Sequence, residues 1–348
     1  MGYAERARNA LYALAAGDAL GWPAFYHRTY ALPFWTRRLR REIDAAQEER
    51  GILRFPMPFS LNRATESLQF YPTDDTEWAC FTADMLLACG GQLTREFVAE
   101  TWEQLANAAT EVRGTISIQG ALHNFREGLQ PPVTGRDNPH YFDDGACSRA
   151  VVIGIAFPGR SQEAAMSAEI DGEVTNAFDG LWAAQAVAAA LAMACGGASL
   201  EESLAAALQV LPQDSWAVRV AEEALQGGEA SGLGLVPSLD RLVNKEYSYG
   251  GAAPEVLALT LAVAKAAQGN LERGILLANT FPKLADSLPA LVGALCGALC
   301  DEPVPWLKQW EPVIDELHGL CLPRLKGRSW RQVVDRLVEV GIKNGGLE

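Results

Sequence analysis

Apolar residues recur at helical spacing along most of this chain, and this pattern restricts the fold more than any other feature. It predicts strong helices at 4–19, 76–89, 95–109, 113–127, 145–156, 175–195, 199–210, 254–267 and 285–300, and weaker ones at 36–50, 215–227, 304–319 and 329–341. Alternating runs of β-branched residues, which indicate strands, are nearly absent. The sequence therefore predicts an all-α protein.

The predicted helices belong to one compact domain that spans 1–348. No fixed-period repeat and no low-complexity linker divides the chain, and 49% of its 348 residues are hydrophobic, enough for a large core. Two segments interrupt the helices: an aromatic and basic insert at about 22–72, and a loop at 130–144 that is rich in proline, glycine and asparagine. The insert is either a hydrophobic flap over the core or a lid over a ligand.

Charge and cysteine content exclude several classes of protein. The net charge of −14 argues against nucleic acid or an anionic membrane as the main partner. Seven cysteines without a CxxC pair argue against a disulfide framework or a zinc knuckle, so we expect a reducing, cytoplasmic location. The N-terminus is expected to start a helix and not a secretory signal. The Ala-rich stretch at 181–198 suits a buried helix better than a membrane span.

The stretch Thr73-Asp74-Asp75-Thr76 places two adjacent carboxylates between an aromatic-proline corner and a predicted helix. These residues are typical helix caps, because their oxygens accept the free amide protons of a first turn. They are also the oxygen ligands that Mg²⁺ and Ca²⁺ prefer. Taken alone, the stretch favours capping.

Three other stretches combine small residues, an acid and a helix boundary. Gly17-Asp18-Ala-Leu-Gly ends the first helix, and its glycines allow another backbone to come close. The stretch at 143–150 (DDGACSRA) leads from a loop into a helix. In the third, at 283–299, Asp286 and Ser287 are expected to cap a helix. The flat glycine face of that helix, at Gly293 and Gly297, is expected to pack against the Ala-rich helix at 183–194.

Together these stretches resemble the ADP-ribosylglycohydrolase family, over most of residues 4–300 and in the same order. The resemblance implies an all-α fold with two Mg²⁺ ions at the bottom of a cleft, between TDDT and a DxDT motif near the C-terminal end. It implies a Mg²⁺-dependent hydrolase that cleaves a ribosyl bond, with an ADP-ribose-containing small molecule or an ADP-ribosylated substrate as partner. It also shifts the interpretation of TDDT from capping towards metal binding.

This chain departs from the family pattern at two acids. Leu284 stands where DxDT has its first acid, and Phe25 stands where the family has a glutamate after GDALG. One Mg²⁺ site is therefore favoured, and the second is doubtful. The family's Asn-Gly-Ala-Ala-Met-Arg becomes DGACSR at 144–149, and its later Thr-His becomes Thr-Asn at 175–176.

The resemblance carries over to a set of candidate residues. The expected metal ligands are Thr73, Asp74, Asp75, Asp286 and Ser287, the expected catalytic acids are Asp74 and Asp75, and the expected substrate-binding residues are Asp18, Phe25, Gly145, Arg149 and Tyr71. Either catalytic acid would serve as the base, and Asp18 would support the metal shell. Arg149 would either hold a phosphate or form an ion pair. Tyr71 would either stack on a base or pack the insert.

Two further functions stay open at this point. The aromatic insert and Phe25 suit an N-glycosidase of a free nucleoside or nucleotide. The paired loss of acids suits a non-catalytic member that binds ADP-ribose or acts structurally. A replacement acid at Glu42, Glu66 or Glu77 would favour an enzyme.

Overall fold

The computed structural model of the chain describes residues 2–26, 70–228, 234–247 and 250–345, the side chains of 22–26 excepted. Within these ranges the chain forms sixteen α-helices and two short 3₁₀ helices, at Asp144–Ala146 and Pro323–Leu325, and no β-strand. The predicted all-α class is confirmed.

The sixteen helices are numbered here in chain order. They are α1 Gly2–Tyr26, α2 Asp74–Ala88, α3 Arg95–Ala106, α4 Ile116–Arg126, α5 Val133–Arg136, α6 Cys147–Ala156, α7 Ser161–Gly172, α8 Phe178–Cys195, α9 Leu200–Gln209, α10 Trp216–Gly227, α11 Leu235–Asp240, α12 Ala253–Ala266, α13 Leu271–Ala278, α14 Leu288–Ala298, α15 Pro305–Ile314 and α16 Trp330–Gly345.

Helices α1 and α14 pack against each other more closely than side chains would allow. An added Cβ at Gly293 would lie 2.6 Å from the Ala13 carbonyl oxygen, and one at Gly297 would lie 2.6 Å from that of Asn9. In return, Gly17 and Gly21 of α1 face the backbone at the start of α14. The close approach predicted for the GDALG glycines is confirmed.

The predicted partner of the α14 glycine face is wrong. Gly293 and Gly297 face α1 and not the Ala-rich helix α8, because α1 supplies the matching glycines that let two backbones meet. Helix α8 packs mainly with α6, α7 and α9. Its own close contact is with Gly154 of α6, where an added Cβ would lie 2.6 Å from the Ala188 carbonyl oxygen.

Helix α8 is also the one helix of the described chain that is long and apolar enough to cross a membrane. Of this helix, Phe178–Cys195, 67% is buried inside the protein. Its alanines contact neighbouring helices, so it serves as a central core helix, as its sequence predicts.

Sequence periodicity finds the apolar helices and misses four others. The predicted helix at 36–50 lies outside the described residues, as does nearly all of the insert at about 22–72. The helices that were not predicted are α5, α7, α11 and α13. Helix α7 has a mixed sequence with no clear apolar stripe, and α5, α11 and α13 are short. Periodicity needs several turns and a one-sided apolar face to be visible.

We expect Gly293→Ala to lower the free energy of unfolding by about 1–3 kcal/mol, because the methyl group would push α14 away from α1. Gly234→Ala is the control, since nothing lies within 4 Å of an added Cβ there. Urea unfolding of both variants measures the difference. Equal stability of the two would show that the α1–α14 contact is not tight.

Candidate active site

Asp18 of α1 holds the first turn of α2 in place. Helix α1 continues past GDALG to Tyr26, so the expectation that GDALG ends the first helix is wrong. One carboxylate oxygen accepts hydrogen bonds from the Thr73 amide (2.7 Å), the Thr76 amide (3.0 Å) and the Thr76 hydroxyl (2.6 Å). The other accepts one from the Thr73 hydroxyl. Asp18 is fully buried, and this burial and the nearby charge of Asp74 raise its pKa to about 7. The Asp18 side chain thus caps the N-terminus of α2, although it belongs to another helix.

The two threonines of the TDDT motif belong to this cap, because both bond to Asp18. Thr73 is the N-cap residue of α2, yet its side chain makes no capping bond to that helix. Its hydroxyl is directed to Asp18 and to Asp74 Oδ1, at 3.2 Å. Asp74 takes part in this turn through the Thr73 hydroxyl, so Asp75 is the acid of the motif that has an oxygen left for another role.

Glu77 is not available as a replacement acid. Its carboxylate is buried and accepts hydrogen bonds from three successive backbone amides, at 320–322, at 2.8, 2.7 and 3.1 Å. Glu77 thereby ties the loop after α15 to the first turn of α2. The other two replacement acids considered, Glu42 and Glu66, lie outside the described residues.

Beside this turn lies a narrow pocket of about 10 Å³, which is room for roughly one water-sized group. Its lining residues are Asp74, Asp75, Trp78, Thr115, Ile118, Asp144, Gly145, Ser148 and Ser287. They come from the starts of α2, α4, α6 and α14, which meet at this point. Helix N-termini carry partial positive charge, so their convergence favours the acids that they surround.

Asp75 is the acid least satisfied by the protein. The residue is only 6% exposed, and its Oδ2 atom is buried without a hydrogen-bond partner among the described residues. Burial, followed by the charges of Asp74 and Asp18 and then those of Asp286 and Asp144, raises its pKa well above the usual value. A buried acceptor without a donor is costly, so Asp75 Oδ2 is suited to bind something the protein itself does not supply.

Asp144 is a third carboxylate on the pocket wall, and the sequence did not single it out. It is 5% exposed, and Ser287 lines the same pocket. Burial and the neighbouring Asp143 raise its pKa to about 7. The sequence did contain a signal for Asp144: the family has an asparagine at this position, and its replacement by aspartate adds a negative charge.

The predicted metal ligands are brought together only in part. Asp74, Asp75 and Ser287 line the pocket, whereas Thr73 lies behind it. Asp286 is not a lining residue, although its charge acts on Asp75. No group of three or more His, Cys, Asp or Glu side chains in the described chain is arranged as a metal site.

Arg149 does not reach the pocket, contrary to its expected role in binding substrate. Its side chain is fully buried, and its guanidinium donates to Asp171 Oδ2, the Gly145 carbonyl and the Thr175 hydroxyl, each at 2.8 Å. It also lies over the Trp102 ring, at 5.2 Å from the centroid. Arg149 therefore forms a buried ion pair, the alternative left open by the sequence, and holds Gly145 in place from below.

The remaining candidates lie around the pocket. Gly145 is on its wall, where an added Cβ would overlap the Thr115 hydroxyl. Tyr71 stacks on the exposed ring of His318, with 4.5 Å between centroids. Leu284 is 1% exposed and belongs to the hydrophobic core, so no acid takes its place there. The side chain of Phe25 lies outside the described residues.

Comparison with known proteins agrees with the all-α fold. The ADP-ribosylglycohydrolase family model matches residues 1–343. The chain belongs to the ADP-ribosylglycohydrolase family. A solved structure named "ADP-ribosylglycohydrolase-related protein complex" has the same fold, with a TM-score of 0.62, 19% sequence identity and 99% of each chain covered. No curated protein matches this chain. The match extends the sequence resemblance through α15 and most of α16.

We expect Arg149→Met to destabilise the protein by about 3–5 kcal/mol, because it leaves the Asp171 carboxylate buried without its cation. Asp171→Leu should be similarly costly, and the double variant should lose less than the sum of the two single losses. Urea unfolding of the wild type and the three variants gives the four free energies of this double-mutant cycle. Additive losses would mean that the ion pair contributes nothing of its own.

Proposed function

We propose that this chain is a hydrolase that cleaves a ribosyl glycosidic bond at the Asp74–Asp75 pocket with the help of Mg²⁺. Family membership supports the glycosidic reaction. The observation that carries the proposal is the buried, unpartnered Oδ2 of Asp75 in a pocket lined by further carboxylates. The default substrate is a small molecule or protein group that contains ADP-ribose.

The pocket residues fit a hard divalent cation in chemistry and in charge. Asp74 and Asp75 offer carboxylate oxygens, and no Lys, Arg or His of the described chain forms an ion pair with either. Mg²⁺ is usually held by one or two carboxylates and keeps several waters. The pocket offers few oxygen ligands and no closed cage of acids, which suits that mode. Ser287 would supply a further oxygen, and Thr73 or Asp286 would supply one after a movement of its side chain.

A bound Mg²⁺ would supply an electrophile for ribose hydroxyls and a more acidic water. The chain's own residues do the rest. Asp75 Oδ2 is free to accept a proton from an attacking water, as cleavage through an oxocarbenium-like state requires. Asp18 keeps Asp75 in position, because it fixes the two threonines that flank the acids. Trp78 and Ile118 give the pocket an apolar side, which limits access of bulk water.

A specific observation favours a second candidate, a family member that binds an ADP-ribose-like ligand without turnover. Leu284 is packed in the core, so one acid of the family pattern is missing from the described structure. The protein would then keep the pocket and lack the full catalytic set. The N-glycosidase alternative is tested in the same assay, with free nucleosides and nucleotides as substrates.

We expect Mg²⁺-dependent release of sugar from at least one member of a panel that contains ADP-ribosyl-arginine, ADP-ribosyl-serine, ADP-ribose derivatives and free nucleosides. EDTA should abolish the release. Asp75→Asn should lower turnover by about 100-fold or more, because it removes the proposed base while keeping the shape.

Asp84→Asn is the matched control for that assay. Asp84 lies on the same helix and pairs with Arg328 at 2.5 and 2.6 Å, and it is not a pocket residue. It should keep full turnover. Ligand binding without turnover across the panel would favour the second candidate, and equal turnover of the Asp75→Asn variant and the wild type would exclude Asp75 as the base.

A further inference from the structure

Two aromatic side chains stack on each other at the surface, close to the acids of α2. The rings of Tyr71 and His318 lie nearly parallel, with 4.5 Å between their centroids and 15° between their planes. Tyr71 is half-buried, whereas His318 is exposed. One face of the imidazole is therefore packed on Tyr71, and the rest of the ring is open to solvent.

Tyr71 is fixed by contacts on both sides of it in the chain. Two residues later, the amide and hydroxyl of Thr73 donate to Asp18. On the other side, Phe70 packs edge-on against Trp310, with 5.9 Å between centroids and 78° between planes. The ring of Tyr71 is thus carried by a short segment that is held at each end.

His318 is fixed in the same way. The preceding residue, Leu317, is fully buried and exchanges two backbone hydrogen bonds with the segment at 327–328, at 2.8 and 3.0 Å. The amides at 320–322 donate to the carboxylate of Glu77, in the first turn of α2. The loop that carries His318 is therefore tied to the same turn as Asp74 and Asp75.

The position of this ring pair relates it to the group that leaves during the reaction. The pocket between the acids has about 10 Å³, room for roughly one water-sized group, so a sugar and whatever is attached to it must lie outside. Tyr71 is only three residues before Asp74. A flat ring is a common binding surface for a nucleobase, because every base has a π-face, and a ring that is already fixed loses little freedom on stacking.

We propose that the open face of His318, supported by Tyr71, binds a heteroaromatic leaving group, and that the bond cleaved joins C1 of a ribose to a ring nitrogen. This inference rests on the proposed function. The substrate class is then a nucleoside, or an ADP-ribose whose second ribose carries such a ring. Serine, which has no planar group, would gain nothing from the stack.

The reaction balances as a hydrolysis. The oxygen of the attacking water bonds to C1 and the water gives one proton to Asp75, while the C1–N bond breaks. The electron pair of that bond stays on the ring nitrogen, which takes up a proton from solvent. Asp75 then returns its own proton to solvent. His318 and Tyr71 touch only the ring that leaves.

Proton NMR tests the binding without an activity assay. The chain has four histidines, so few imidazole signals are present, and the signal lost in His318→Phe is that of His318. Adenine should shift this signal upfield through its ring current and leave the other three in place. Calorimetric titration with adenine should show binding about tenfold or more weaker in His318→Ala, and largely restored in His318→Phe, which keeps a ring.

His123→Ala is the matched control, since it makes the same substitution at another exposed histidine, near the end of α4. It should bind adenine as the wild type does. An unshifted His318 signal at saturating adenine, or equal weakening by His123→Ala and His318→Ala, would overturn the subsite. Neither result would affect the proposed function.

Turnover separates the subsite from the proposed function. His318→Ala should lower kcat/KM for ring-bearing substrates such as adenosine at least tenfold more than for ADP-ribosyl-serine, chiefly by raising KM. Equal losses for both, or turnover of ADP-ribosyl-serine alone, would overturn the leaving-group assignment and leave the hydrolase standing. Absence of sugar release by the wild type from every member of the panel would overturn the proposed function and, with it, this inference.

Discussion

The arrangement of the pocket depends on the carboxylate of Asp18. Four hydrogen bonds converge on its two oxygens, all from the residues that frame the two acids of α2. Charge-assisted bonds of this kind are among the stronger ones in a protein interior. Because Asp18 belongs to α1, and α1 is packed backbone to backbone on α14, the positions of Asp74 and Asp75 are linked to both ends of the described chain.

The pocket also shows how negative charge is distributed through this protein. Some buried acids serve the fold: Asp18 and Glu77 accept backbone amides, and Asp171 pairs with Arg149. Asp75 differs from them, because its Oδ2 atom is buried without a hydrogen-bond partner among the described residues. This contrast separates structural from functional acids better than burial alone, because all of them are buried. It is the reason why a cation site is proposed around Asp75 and not around the equally acidic surroundings of Asp18.

Most of the fold and part of the site could be predicted from the sequence. Apolar periodicity is a local signal, so it identified the long helices, and the motif order identified the family that the comparison confirmed. Which helices pack against each other is not a local property of the sequence. The α14 glycines were therefore assigned to α8, although they face α1. The direction of a side chain is equally invisible: Arg149 turns into the core, and Asp144, one residue before Gly145, faces the pocket.

The contact between α1 and α14 has a consequence for how the protein is made. The glycine face that receives α1 begins near residue 289, so the first helix leaves the ribosome long before its partner exists. At about 5–20 residues per second, this delay is on the order of 15–60 s. During that time the face of α1 that packs on α14 is without its native partner. Because Ser287 is one of the pocket's lining residues, a truncated product that ends before α14 would have neither the closed core nor the complete site.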